Sequence, residues 1–405
     1  MSAVSNEEPV SPARGVLGFT AAESRVLLGT SAIYALRMLG VYLAFPVLSR
    51  YAKDLPGSTT LLVGLSVGAY GLTQALFQIP LGALGDRIGR GRALALGLLI
   101  FAAGSGICAV GHTAWLLVIG RLVQGAGAMA STMIALLGDR ARVEVRTRAM
   151  AAMGLFIGGA FACGLIFGAP LAERFGMPVL FGFSCVASLV GIAFLPWALG
   201  GMKELPVHGT GDRTLSVGSI VPVLARPPLL AADMGIMLLH LGLTAMFVVL
   251  PIRLHALLGA TQQGLLYAPV LALGFVSMWV SSHIAETPRG TRIVLAIGSV
   301  LLALGLVALA FSHSVRALAI SLALYVVGFA SLEPSLAASI TRNAEPRLRG
   351  TAAGVFNTTQ FFGVFLGGLA AGAVLGKNEA ALFLGVAAGQ LLWLTWGMRA
   401  IRSHA

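Results

Sequence analysis

Arg37, Arg121, His240 and Glu333 each fall well inside a long apolar run, and Asp233 and His283 fall nearer the ends of two others. Holding one charge at mid-depth in a bilayer costs roughly 2.5–3.5 kcal/mol even on the lenient insertion scale, so residues of this kind point to function. An arginine keeps its proton at any working pH. Arg37 and Arg121 are therefore anchors, for a carboxylate, a substrate anion or a bond between spans. A carboxyl in apolar surroundings holds its proton, and one beside an arginine releases it. On that chemistry Glu333 is the leading proton carrier, His240 a relay that titrates near neutrality, and Arg121 the cation able to draw the proton off. The competing roles are structural: a hydrogen bond or ion pair across helices for Glu333, with Pro334 bending its span, and a neutral interhelical hydrogen bond for His240. Asp233 and His283 read as interfacial residues.

A second charged group lies between spans rather than inside one. Gly82-Ala83-Leu84-Gly85-Asp86-Arg87-Ile88-Gly89-Arg90-Gly91-Arg92 is a tight turn between two apolar runs. A loop this short makes the flanking helices antiparallel neighbours. Its three cations crowd one carboxylate, which describes a clasp able to close and open. A turn that merely fixes topology would need the positive charge but not this order.

The elements that must position these groups are plain in the hydropathy. Apolar runs fall at about 25–48, 60–82, 93–111, 115–138, 148–170, 178–198, 229–251, 264–285, 292–312, 315–338, 350–376 and 380–398. Each is long enough to cross a bilayer as a helix. With 57% hydrophobic and 10% charged residues, the chain reads as an all-α membrane protein. The net charge of +12 is spread through the connections, which argues against a nucleic-acid surface. Nineteen Lys and Arg fall at the two ends and in the even-to-odd loops, against six (Arg50, Lys53, Arg174, Arg253, Arg316, Lys377) in the opposite loops. By the positive-inside rule both termini are cytoplasmic. Residues 1–22 have no apolar core ahead of a cleavage site, so the first span is expected to stay in place. Cys108, Cys163 and Cys185 lie in apolar runs at no metal-ligand spacing and read as buried packing residues. Trp115, Trp197 and Trp393 sit near span ends as interfacial anchors.

The connection Gly200 to Pro228 divides the chain into two sets of six spans. The expected organisation is a cytoplasmic tail 1–24, a bundle 25–199, a linker 200–228, a bundle 229–400 and a short tail 401–405. The halves echo each other at an offset of 201: Arg146-x-Arg148-x-x-Ala151-Ala152 returns as Arg347-x-Arg349-x-x-Ala352-Ala353, and Gly89 as Gly290. Duplicated halves around a central cavity are a transporter architecture, with the site near the midplane. Spans one, four, seven and ten would line it through Tyr34, Arg37, Tyr42, Gln124, Met237, His240, Phe247, Tyr325 and Phe329, joined by Asn357. This lining of aromatics and Met suits amphipathic ligands. Gly154, Gly158, Gly164 and Gly168, and Gly363, Gly367 and Gly368, read as seams for close helix packing. No phosphate-binding loop is present in the sequence, so ATP is not the energy source. No catalytic residue, metal or cofactor is expected, and the chain is expected to act as a monomer with a small molecule, protons and lipid as its partners.

The turn at Gly82–Arg92 resembles the loop signature of the major facilitator superfamily, with Gly91 where a second adjacent basic residue is usual. Leu117-x-x-x-Arg121-x-x-Gln124-Gly125-x-Gly127 resembles that superfamily's second signature. Leu36-Arg37-Met38-Leu39-Gly40, Tyr70-Gly71-Leu72-Thr73-Gln74-Ala75-x-Phe77-Gln78-Ile79-Pro80 and Gln360-Phe361-x-Gly363-Val364 are similar to bacterial inner-membrane drug:proton antiporters of the YajR type, although the soluble domain that type carries after the last span is not expected here. Gly168-Ala169-Pro170 replaces the Gly-Pro usual in the fifth span. The resemblance implies twelve transmembrane helices in two pseudo-symmetric six-helix bundles and proton-driven export. It also implies a conformational latch of Gly82, Asp86, Arg87, Gly89, Arg90 and Arg92 paired with Asp139, closed when the site faces outward and broken when it opens inward. Alternatives that keep the fold are a carrier of a sugar, a metabolite or an inorganic ion such as iron, and a sensor or scaffold that moves nothing.

Overall fold

The computed structural model describes residues 18–200, 217–345 and 348–402. Most of the linker, Arg347 of the repeated motif and both chain ends lie outside them. Twelve long helices follow the hydropathy: α1 Ala21–Ala44, α2 Thr60–Ile88, α3 Arg90–Val110, α4 Ala114–Arg140, α5 Arg146–Phe175, α6 Met177–Ala198, α7 Pro227–Leu257, α8 Ala260–Ile284, α9 Pro288–Ala310, α10 Val315–Asn343, α11 Arg349–Val374 and α12 Glu379–Arg402. Eleven of them are long and apolar enough to cross a membrane. The exception is α11, whose Asn357-Thr358-Thr359-Gln360 and many glycines dilute its hydropathy.

Local chemistry starts and stops these helices. Thr20, Thr59, Thr113, Thr287 and Ser314 each accept a backbone N–H of the first turn through the side-chain hydroxyl, which satisfies one of the donors a helix start leaves open. The turn between α2 and α3 is far shorter than the sequence implies. Helix runs through Ile88 and resumes at Arg90, leaving Gly89 alone as the corner at φ +93°. Only glycine enters that region without strain. Gly290, its echo, sits inside the first turn of α9 and has no such backbone angle. The fourth span also differs from the single helix expected: it breaks into Ala114–Ala126 and Ala130–Arg140, with Gly127 at the break. A short helix, Leu48–Asp54, caps the end of α1.

α1 to α6 pack among themselves, as do α7 to α12, and the two bundles meet chiefly through α2 against α11 and α5 against α8. The duplication is visible in the contacts. A Cβ on Gly104 would strike the backbone of Gly120 and Gln124, and one on Gly305 that of Ser321 and Tyr325. Gly127 approaches Gly97 and Phe101 as Gly328 approaches Gly298 and Leu302. Every one of these matches is displaced by 201 residues.

The bundles are closed at the end of the molecule opposite the Asp86 turn. There Gly64 and Gly68 lie against Gly368 and Gly372, Gly264 against Ile166, and the rings of Phe45 and Phe247 sit 4.7 Å apart. Towards the latch end Leu155 and Phe156 of α5 and Val276 and Trp279 of α8 are exposed. Gly164, Gly168, Gly363, Gly367 and Gly368 pack tightly against neighbouring backbone, and Gly158 faces the ring of Phe275. Gly154 is the exception, with open space at its Cβ position.

Candidate transport site at the bundle interface

In the first bundle, Arg37 and Arg121 are completely buried although neither meets a carboxylate. Arg37 donates to the carbonyl of Gly127 at 3.1 Å and to the Tyr70 hydroxyl at 3.3 Å, and its guanidinium lies over the ring of Phe101. The break in α4 frees that carbonyl from the helical ladder. Arg121 donates to the Ser66 carbonyl at 3.1 Å and to Gln124 Oε1 at 2.7 Å, with its guanidinium 4.9 Å from the centre of the Tyr70 ring. Gln124 in turn donates to Ser105 Oγ. Tyr70 is thus shared by both cations, one on its hydroxyl and one on its face.

The second bundle is built differently. His240 of α7 bonds through Nδ1 to the carbonyl of Ile236 at 3.1 Å, and Gln360 of α11 meets its Nε2 at 2.8 Å. That network assigns the hydrogen to Nδ1 and makes Nε2 the acceptor. Glu333 Oε1 stands 3.9 Å from the same Nε2. A proton arriving on Nε2 would turn an acceptor into a donor, displacing the Gln360 amide and drawing Glu333 in. The Glu333 side chain is 43% exposed although Leu332 and Leu336 on either side are fully buried. Phe329 covers His240 edge-on at 5.3 Å, and Tyr325 donates to the Leu239 carbonyl.

Between the bundles lies an apolar hollow of about 40 Å³, lined among others by Phe161, Phe247, Tyr267, Val326 and Phe329. On its own this hollow is far below the size of a drug-sized pocket. Of the residues expected to line the cavity, Phe247 and Phe329 do line this hollow. Tyr42 packs edge-on to Phe161 at 5.0 Å. Tyr34 is buried beside Arg37, and Met237 and Asn357 are half-buried on α7 and α11.

At the latch, Arg90 is the hub. It pairs with Asp86, reaches Asp139 through Nε at 3.4 Å and donates to the Gly82 carbonyl at 3.4 Å. Arg87 and Arg92 are exposed. The latch is formed while the far end is packed, so these ion pairs do not require an open far side. They lie within one bundle, spanning α2, α3 and α4, and such half-exposed pairs contribute about 0–1 kcal/mol each.

A major facilitator superfamily model matches residues 30–368. The chain belongs to the major facilitator superfamily. It is 35% identical over 380 residues to the inner membrane transport protein YajR of Escherichia coli (strain K12), covering 93% of this chain and 83% of that protein. It is 29% identical over 175 residues to the class E tetracycline resistance protein of Escherichia coli, covering 42% of each. Its fold is similar to a bacterial homologue of the human lysosomal transporter Spinster in an inward-facing, unoccupied conformation, at a TM-score of 0.75 and 15% identity over 95% of this chain and 98% of that one. The protein is an integral membrane secondary transporter.

Some assignments from sequence need correction. Trp393 is not an interfacial anchor: it is 5% exposed and donates through its indole N–H to the Ala231 carbonyl. Trp115 and Trp197 are exposed near their helix ends. Asp233 is not interfacial either, being fully buried with neither oxygen hydrogen-bonded, whereas His283 is exposed. Cys108 is buried, but Cys185 on α6 is half-buried and Cys163, on an outward face of α5, is exposed. Sequence reasoning missed Tyr70 as the bridge between the arginines and Gln360 as the partner of His240. Gln360 lies one turn beyond Asn357 on the same helix face, a spacing that could have flagged it.

Proposed function

We propose that this transporter exports small amphipathic molecules by alternating access, coupled to protons moving inward, from a bacterial inner membrane with both termini cytoplasmic. The observation that carries the coupling is the Glu333–His240–Gln360 group: a half-exposed carboxyl beside an imidazole whose Nε2 can take a proton by giving up the Gln360 amide. Alternating access would move Glu333 between an apolar and a polar environment, so that it loads on one side and releases on the other. The aromatic hollow at the interface supports an apolar body for the cargo. The likeness to a tetracycline resistance protein supports outward movement, and the similarity to YajR supports the inner membrane. The nineteen-to-six bias of Lys and Arg supports the orientation. The test is flux of a fluorescent amphipathic dye in vesicles of the purified protein under an imposed pH gradient. Accumulation that collapses with the gradient supports the reading. Binding without any gradient-driven flux would favour a sensor.

A further inference from the structure

Two guanidiniums share Tyr70 in the interior of the first bundle, and all their protein partners are neutral. Arg37 bonds to Gly127, Tyr70 and Met38, and Arg121 to Ser66 and Gln124. The acids that pair among the described residues are engaged elsewhere: Glu23 with Arg142, Asp86 and Asp139 with Arg90, Glu379 with Arg253, Glu345 with Arg226 and Glu333 with His240. Two like charges taken out of water with no counterion are costly, since burial of even one calls for an opposite charge and a full set of hydrogen bonds. That set is incomplete here. Arg37 Nε and Arg121 Nη2 have no acceptor, and four residues along α2 from Tyr70 both amide atoms of the buried Gln74 are also unpartnered. Tyr70 in turn meets Phe361 of α11, ring centroids 6.4 Å apart, across the interface between the bundles. The cations therefore lie one aromatic ring away from the seam that must part for cargo to reach the centre.

We propose that Arg37 and Arg121 form the binding site for an anionic group of the cargo, a carboxylate or a group of like shape, which supplies the missing counterion and accepts from Arg37 Nε and Arg121 Nη2. The inference rests on the transport reading above and narrows the cargo to amphipathic anions, the ring system lying against the interface aromatics. Expelling an anion against an incoming proton moves two charges in the same sense per cycle, so transport would be driven by membrane potential as well as by pH.

The test uses the full chain in lipid nanodiscs and three aromatic carboxylates (benzoate, naphthoate and pyrenebutyrate), with naphthamide as the neutral isostere and sodium chloride as the inorganic anion, read by thermal stabilisation. At least one acid is expected to stabilise the protein saturably while the amide does not. Arg37→Gln is expected to weaken that acid about tenfold or more, and Arg37→Lys, which keeps the charge, less. Should Arg37→Gln not fold, Tyr70→Phe and the acid-against-amide contrast on the unaltered chain decide the matter. An amide as effective as the acid, an Arg37→Gln protein that binds the acid like the parent, or full protection by chloride alone would each overturn the proposal. Dye flux in sealed vesicles of the purified protein separates the two readings. Gradient-driven flux of the cation ethidium without any acid binding removes the anion site and keeps the proton coupling. Acid binding without gradient-driven flux of any probe keeps the anion site and removes the coupling.

Discussion

The two bundles are built on one frame and carry different chemistry. In the first, Gly104 lets the backbone of Gln124 approach, and Gln124 then holds Arg121; in the second, Gly305 lets Tyr325 approach at the equivalent place, and Tyr325 bonds the Leu239 carbonyl. The small residues at the helix crossings are kept because a Cβ there meets backbone, which cannot move aside. The side chains one step away face the centre and have diverged. One wall became a buried pair of cations, and the other an imidazole and a carboxyl within reach of each other. The helix crossings repeat between the halves, while the buried polar groups set on them do not.

If that comparison is right, damage to the frame should cost the same in both halves. Gly127→Leu and Gly328→Leu each drive a side chain into backbone of the neighbouring helix, and overpacking that forces backbone shifts costs about 1–3 kcal/mol and occasionally more. Both variants are expected to lose most of their folded yield, by size-exclusion profile and thermal unfolding. A large loss in one half only would break the analogy.

The next largest effect concerns Asp233, which is buried with neither carboxyl oxygen hydrogen-bonded, whereas Ala32, displaced from it by the same 201 residues, has no polar side chain to satisfy. Asp233→Ala is expected to raise stability by about 1–3 kcal/mol, the cost of a buried polar group left unsatisfied. A lower melting temperature would show that the carboxyl has a stabilising partner.

A sharper difference between the walls comes from His240→Asn, which removes the nitrogen facing Glu333 and Gln360. Gradient-driven flux is expected to fall about a hundredfold or more, the range general for a positioned proton-transfer group, with little change in acid binding. Parallel losses in both would mean that the walls do not act separately.

The smallest effect is expected at the latch. Asp139→Asn removes one half-exposed contact to Arg90 and should shift the ratio of inward to outward states about threefold to fivefold. Labelling of single cysteines introduced at each end reads that ratio, in a parent where exposed Cys163 is first replaced by Ser. Equal labelling in mutant and parent would exclude a role for the contact in setting the state.

Much of this was legible in the sequence because bilayers impose simple rules. Twelve apolar runs had to be twelve helices, and a charge inside one had to be tolerated for a reason. The 201-residue offset read from two short motifs reappears in the glycine contacts. What stayed hidden depends on which way a helix face turns. Asp233 and Trp393 sit near helix ends, where hydropathy alone cannot tell a lipid-facing position from a packed one. The break in α4 turns on a single glycine, and its consequence, a carbonyl offered to Arg37, is a contact between residues 90 positions apart. Tyr70 looked like one more aromatic until two arginines met on it.

The central claim is that protons cross by way of Glu333, and one measurement addresses it without ambiguity. Wild-type and Glu333→Gln proteins are placed in vesicles, and dye accumulation is followed under an imposed pH gradient, alongside dye exchange with no gradient present. Gradient-driven accumulation is expected only in the parent, with exchange preserved in both. Accumulation by Glu333→Gln at the parental rate would contradict it.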